Sequence, residues 1–170
     1  MAASATFTFS CPSSLLTEPI LQDLTATSST QQDKLGREVF TSDGRAFRYV
    51  KFDNGSGNVA AVAGGPAYWY PDAAGGVVTS DQTDSGTAGK GHSVAGQFLN
   101  VPTDAYCIWV QFKGNGRAKC STTAAGKSIT AIADGYFGAG TTGTDEQCGT
   151  CLEATIADGY SFPMVQLFGL

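Results

Sequence analysis

A chain of 170 residues with 22 glycines, 15% charged residues and a formal net charge of −5 suits one globular unit with many turns and is short for two independent domains. The acidic balance, with a pI near 4.6, argues against a phosphate-binding surface, because nucleic-acid affinity comes largely from Lys and Arg neutralising backbone charge. No apolar run approaches bilayer-spanning length, and the N-terminus lacks the basic and continuous apolar regions of a signal peptide, so we expect neither a nucleic-acid nor a membrane partner, and assembly in the cytoplasm.

Residues 1–33 are rich in Ser, Thr and Ala and are interrupted by Pro12 and Pro19, which reads as an extended arm. Its apolar residues Leu15, Leu16, Ile20, Leu21 and Leu24 form a strip that either folds back on the core or docks on a neighbouring subunit. Residues 34–170 read as a single β domain. Within its first part, 34–71, Val39 and Phe40 lead into the turn Ser42-Asp43-Gly44, and Ala46 to Lys51 leaves it with alternating side chains, a strong hairpin signal. The cluster of Lys34, Arg37, Arg45, Arg48 and Lys51 reads as a solvated hairpin face. Asp53 to Pro66 reads as turn, short strand over Val59–Ala63, and turn. Tyr68, Trp69 and Tyr70 follow; on a strand they alternate between faces, so they cannot all be core, and the exposed ones can serve as a glycan-stacking or interface platform.

Residues 72–97 read as a long polar loop or loosely paired strands, with Val77 and Val78 the one aliphatic pair in its Gly/Ser/Thr/Asp-rich stretch. The run Gly86-Thr-Ala-Gly-Lys-Gly91 lacks the spacing and context of a phosphate loop. Over 98–170 we expect four or five sandwich or barrel strands. The clearest is Ala105–Lys113, with Tyr106, Ile108, Val110 and Phe112 on one face and Cys107, Trp109 and Gln111 on the other. Gly114-Asn115-Gly116 is expected to turn this strand back into Arg117–Thr123. A turn and strand over Ala124–Ala133, a flexible bend at Gly138–Gly143 and a last strand pair, Cys148–Ile156 and Tyr160–Phe168, complete the chain.

Chemistry-bearing residues are few. The one histidine, His92, lies in the polar loop without a partner nearby in sequence, so no nucleophilic triad or His-metal site has a residue to rest on. No paired carboxylates can be assigned from spacing. Five cysteines, among them Cys148-x-x-Cys151, read as buried thiols: an odd count is no disulfide framework, and residues three apart on a strand face opposite ways. Cys107 and Cys120 would be out of register across a turn centred on Asn115. We expect no cofactor, no metal and no enzyme activity.

Three blocks carry a resemblance. They are Leu35-Gly-Arg-Glu-Val39 with Asp43-Gly-Arg-Ala-Phe-Arg-Tyr-Val-Lys51; Val101-Pro-Thr-Asp-Ala-Tyr-Cys-Ile-Trp-Val-Gln-Phe-Lys-Gly114; and Gly149-Thr-Cys-Leu-Glu-Ala154 with Phe162–Phe168. Together they resemble head decoration or cement proteins of tailed bacteriophages, with cysteines in Cys148–Cys151 where that pattern has small aliphatic residues. Residues 52–100 and the first thirty lie outside the resemblance. It implies an all-β, jelly-roll-like small sandwich or barrel with an N-terminal arm. It also implies a virion protein seated on the capsid exterior, with the major capsid protein and itself as partners, as a homotrimer or else a dimer. Arg45, Phe47, Arg48 and Tyr49, with the arm strip Leu15, Leu16, Ile20 and Leu21, are then the expected subunit or capsid interface. The alternative is a carbohydrate-binding or host-adhesion module built on Tyr68, Trp69 and Tyr70.

Overall fold

The computed structural model describes residues 23–70, 76–85, 94–140, 147–153 and 164–168. The expected interface residues Leu15, Leu16, Ile20 and Leu21, as well as Cys11, His92, the end of the expected bend at 141–143 and the turn between the last two strands at 154–163, lie outside the described residues, whereas Gly138 and Ala139, expected in that bend, are strand. The described chain is all-β: β1 (Glu38–Phe40), β2 (Ala46–Phe52), β3 (Pro66–Trp69), β4 (Val77–Thr79), β5 (Val94–Phe98), β6 (Cys107–Arg117), β7 (Ser128–Ala133), β8 (Tyr136–Ala139), β9 (Gly149–Cys151) and β10 (Met164–Phe168), with one 3₁₀ turn at Thr83–Ser85.

Five of these strands close on themselves. The order β2-β4-β3-β5-β6 is sealed by an additional β2–β6 pairing, which leaves the barrel with no open edge between its first and last strand. The expected hairpin forms, with Val39 opposite Phe47; Thr41 N donates to Arg45 O at 2.9 Å and Gly44 N to Thr41 O at 3.1 Å, while Gly44 supplies the positive φ of the turn. β6 then pairs with β2 from Cys107 to Lys113. The alternation of β6 is as expected, but both faces are buried. Ile108 and Val110 join Val50, Phe52, Ala67, Ala95 and Phe98 in the barrel interior, and Cys107 and Trp109 join Val39, Phe47 and Tyr49 outside it.

The outer cluster is covered by the end of the arm. Leu24 and Leu35 pack on it, Ser28 and Cys107 exchange backbone hydrogen bonds at 3.0 and 2.8 Å, and Gln32 N donates to the Tyr49 hydroxyl at 3.0 Å. Residues 23–33 are therefore a strap on the chain's own core, which a strand buried on both faces requires.

Three local expectations are overturned. Gly114-Asn115-Gly116 is not a turn: β6 runs straight through it to Arg117, paired with β10 from Lys113↔Phe168 to Arg117↔Met164. The barrel's longest strand thus becomes the first strand of a second sheet, β6-β10-β9-β7-β8. Residues 72–97 are not a polar loop throughout, because β4 inserts between β2 and β3, parallel to β2, and β5 is buried along its whole length. The β-branched run Val77-Val78-Thr79 suffices for a short enclosed strand. The strand expected over Val59–Ala63 does not form; the segment forms no ladder, and only Ala61 is buried, against the barrel interior. Its alanines offer too little side-chain surface to hold a pleated strand.

The second sheet also rolls up. Cys120 bridges Phe137 in parallel, with Phe137 N donating to Lys119 O at 2.9 Å and Ser121 N to Phe137 O at 2.8 Å, so the chain leaving β6 returns to the far edge at β8. Inside lie Ile129, Ala131, Phe137, Val165 and Leu167 with Cys120, Cys148 and Cys151. Tyr68 and Val94 reach into this cluster from the outer face of the barrel, and the Tyr68 hydroxyl donates to Ala133 O at 3.0 Å.

β5 approaches β6 so closely that a Cβ on Gly96 (φ +152) would lie 2.5 Å from Gln111 O. Gly96→Ala is therefore expected to lower stability by about 2–4 kcal/mol, read as the shift in urea midpoint; an unchanged midpoint would show that the β5–β6 seam relaxes freely.

Candidate functional site

At one end of the barrel the even-numbered face of β2 carries a charge inward. The Arg48 guanidinium lies 4.4 Å from the Phe112 ring centroid and 5.1 Å from that of Trp69, sandwiched between two aromatic rings. Its Nε and Nη2 donate to Glu38 Oε1 at 3.0 and 2.6 Å, and its Nη1 donates to Ala95 O at 3.2 Å. One side chain on β2 thus ties together residues of β1, β3, β5 and β6. A guanidinium suits this place because its planar face stacks while its edge donates. Phe40, 44% exposed, extends the aromatic group outward by an edge-on contact with Phe112 at 6.2 Å.

The expected interface residues separate. Arg45 and Arg48 keep exposed atoms, but Phe47 and Tyr49 are buried in the cluster beneath the strap. Their side chains serve the fold and are not available to a partner in this conformation. Alternation along β2 hides them, since the outer barrel face is itself covered. The aromatic platform is reduced in the same way. Tyr68 is fully buried, Trp69 is half-buried with one face against Arg48, and Tyr70 is half-buried.

At the opposite end a polar knot ties the loop 53–58 to the 3₁₀ turn. Ser56 N and Oγ donate to the Asp84 carboxylate at 2.5 and 2.8 Å, Asn54 N donates to Asp104 Oδ1 at 3.1 Å, and Thr83 N and Oγ1 donate to Asp81 Oδ1 at 2.9 and 2.6 Å. Burial opposes ionisation of Asp81, but hydrogen bonds from Thr83 and from the backbone of Asp84 and Gly57 outweigh it and hold the carboxyl below its usual value. Among the described residues no group of three or more His, Cys, Asp or Glu is placed to hold a metal ion.

A cleft of about 320 Å³ opens where the barrel meets the second sheet, with Arg45, Gln97, Gln111, Gly116 and Arg117 among its lining residues. Sequence reading reached only Arg45 of these, because the cleft exists only once Gly114–Gly116 continues as strand. Gln97 and Gln111 are each 1% exposed, and Gln97 Nε2 donates to Gln111 Oε1 at 3.3 Å. Gln97 Oε1 has no hydrogen-bond partner among the described residues, and an unsatisfied buried acceptor costs about 1–3 kcal/mol. Arg45 pairs with Asp43 at 2.7 Å and Arg117 with Glu153 at 2.5 Å, all partly exposed.

The four thiols of the described residues are enclosed by the core. Cys107, Cys120, Cys148 and Cys151 are buried. The opposite-face argument for Cys148 and Cys151 fails, because Cys148 precedes β9 and both side chains enter the same apolar cluster as Cys120. Burial, with a contribution from Cys151, pushes the Cys120 thiol up to about 12, and Cys151 Sγ donates to Glu153 O at 2.7 Å. Cys107 and Cys120 lie in different clusters.

Comparison of the chain with protein-family models, with curated proteins and with solved structures finds no match.

Arg48→Met is expected to cost about 2–4 kcal/mol, through lost stacking and charge-assisted hydrogen bonds, whereas Glu38→Gln at the exposed end of the pair costs under about 1 kcal/mol; urea unfolding followed by tryptophan emission separates them. The thiols set an alkaline limit. Below pH 9.0 the Cys120 thiol is protonated folded and unfolded; between there and about 12 only the unfolded thiol ionises, so stability falls as pH rises through that window. Urea midpoints from pH 8 to 11 should decline, and Cys120→Ala should flatten the decline.

Proposed function

We propose that this chain is a non-enzymatic structural protein of a virion, binding the outer surface of an icosahedral phage shell and reinforcing it. The observation that carries the reading is the block Leu35–Lys51, whose resemblance to decoration and cement proteins falls on β1, the turn and β2. The second block of the resemblance, Val101–Gly114, supplies most of β6, so these two blocks carry the strand pair that closes the barrel, while the third falls on β9 and β10 in the second sheet. A closed barrel with a strapped outer face suits a mechanical role, because such a protein acts by adding rigid contacts that favour the assembled shell by mass action. Copies on a shared lattice gain further from high effective concentration, so modest contacts per copy suffice. Self-association as a trimer, or a dimer, at local symmetry positions belongs to this reading.

Residues 23–33 hold the outer cluster closed, so the arm is best tested by removing residues 1–22 alone. Size-exclusion chromatography with light scattering should show an oligomer for the full chain and a lower-order species for the chain starting at Asp23, with unchanged thermal midpoint. A monomer in both forms would remove the arm as a subunit latch. Co-expression with the shell-forming protein of the same genome, followed by sedimentation, tests the role itself: the chain should travel with shells at a fixed stoichiometry, and recovery only in the unassembled fraction would overturn the reading.

A further inference from the structure

We infer that the cleft between the barrel and the second sheet docks an acidic peptide segment of a protein partner, its carboxylate meeting Arg45 and Arg117 and an adjacent backbone N–H meeting the Gln97 carbonyl. The inference goes beyond the shell-binding reading, since the chemistry would serve any partner surface that presents such a segment.

The two buried glutamines fix the polarity of the site. Gln111 Nε2 donates to the carbonyls of Lys113, Gly114 and Asn115 at 3.2, 3.2 and 3.0 Å, so its Oε1 is committed as the acceptor toward Gln97. Gln97 must then offer its Nε2, which orients its Oε1 as an acceptor, and that atom has no donor among the described residues. A buried amide oxygen beside a cleft calls for a donor from outside. Gly116 keeps the approach clear, because a Cβ there would lie 2.5 Å from Gln97 Nε2 and 2.8 Å from Gln111 Oε1.

Two guanidiniums at the same cleft, in a chain of net charge −5, give the complement to a carboxylate. Their ion-pair partners, Asp43 and Glu153, are 51% and 49% exposed at the side chain, and exposed ion pairs hold weakly, so an incoming carboxylate can compete with either. Ala63, Phe98 and Leu99 form an apolar part of the lining, which accepts the methylenes of a glutamate. An inorganic anion or a simple diacid lacks the N–H that Gln97 requires, whereas a peptide carries a carboxylate and an N–H a few atoms apart.

The test uses the full-length ¹⁵N-labelled protein and the probe acetyl-Gly-Glu-Gly-amide at low salt, read at the side-chain amide of Gln97 and the backbone amide of Gly116. Saturable shifts of both are expected, in the millimolar range. Binding should weaken about tenfold or more in Arg45→Gln/Arg117→Gln, whose side chains are exposed enough to leave the fold intact, and in the Gln counterpart of the probe. Absence of any shift at the Gln97 amide would overturn the inference. So would equal binding of sulfate or glutarate, which would reduce the cleft to a non-selective cationic patch.

Discussion

The pairing of β2 with β6 is the constraint on which the rest of the molecule depends. It joins residues about sixty positions apart, Phe47 to Gln111 and Lys51 to Cys107, and it converts a five-strand ribbon into a closed barrel. Closure has a cost that shows at once in composition. Both faces of β2 and β6 are occupied, so the inner face must be filled by Val50, Phe52, Ile108 and Val110 and the outer face must find its own cover. That cover is the strap at residues 23–33, with Leu35 just after it, over Phe47, Tyr49 and Trp109 on one flank. On another it is the second sheet, against Tyr68 and Val94. Three apolar clusters arranged around one barrel wall follow from a single long-range pairing.

The same strand that closes the barrel builds the cleft. β6 has eleven residues, more than the barrel needs, and its last turn-like residues continue into the pairing with β10. Where β5 ends beside it and β10 begins, the side chains of Gln97 and Gln111 are buried, and Gly116 leaves space beside them. Gln97, Phe98 and Gln111 in the lining of the cleft belong to strands that pair within the barrel. The buried thiols of the described residues and the knotted carboxylates of Asp81 and Asp84 are engaged in holding structure.

Much of this architecture was legible in the residues. The Asp43-Gly44 turn with its flanking alternation specified the β1–β2 hairpin, and the alternation Tyr106 to Phe112 specified β6 and its two faces, because period-two patterning and turn chemistry are local properties. Local reasoning failed where a neighbour decides. Gly114-Asn115-Gly116 has the composition of a turn, yet the ladder offered by β10 keeps it extended. Val77-Val78-Thr79 and Val94 to Phe98 sit in polar surroundings, yet slots beside β2, β3 and β6 recruit them as strands. Phe47 and Tyr49 look like a presentable face of a hairpin until the strap covers them.

The candidate site divides in the same way. The sequence by itself determined an all-β chain, the main hairpin, the central strand and the burial of the four described thiols, since these follow from side-chain periodicity, turn residues and apolar character within a few positions. Only the tertiary structure decided which strands close the barrel, that Arg48 stands between Phe112 and Trp69, and that Gln97, Gln111, Arg45 and Arg117 line one recess. Those outcomes depend on pairings between distant segments, whose register no local pattern encodes.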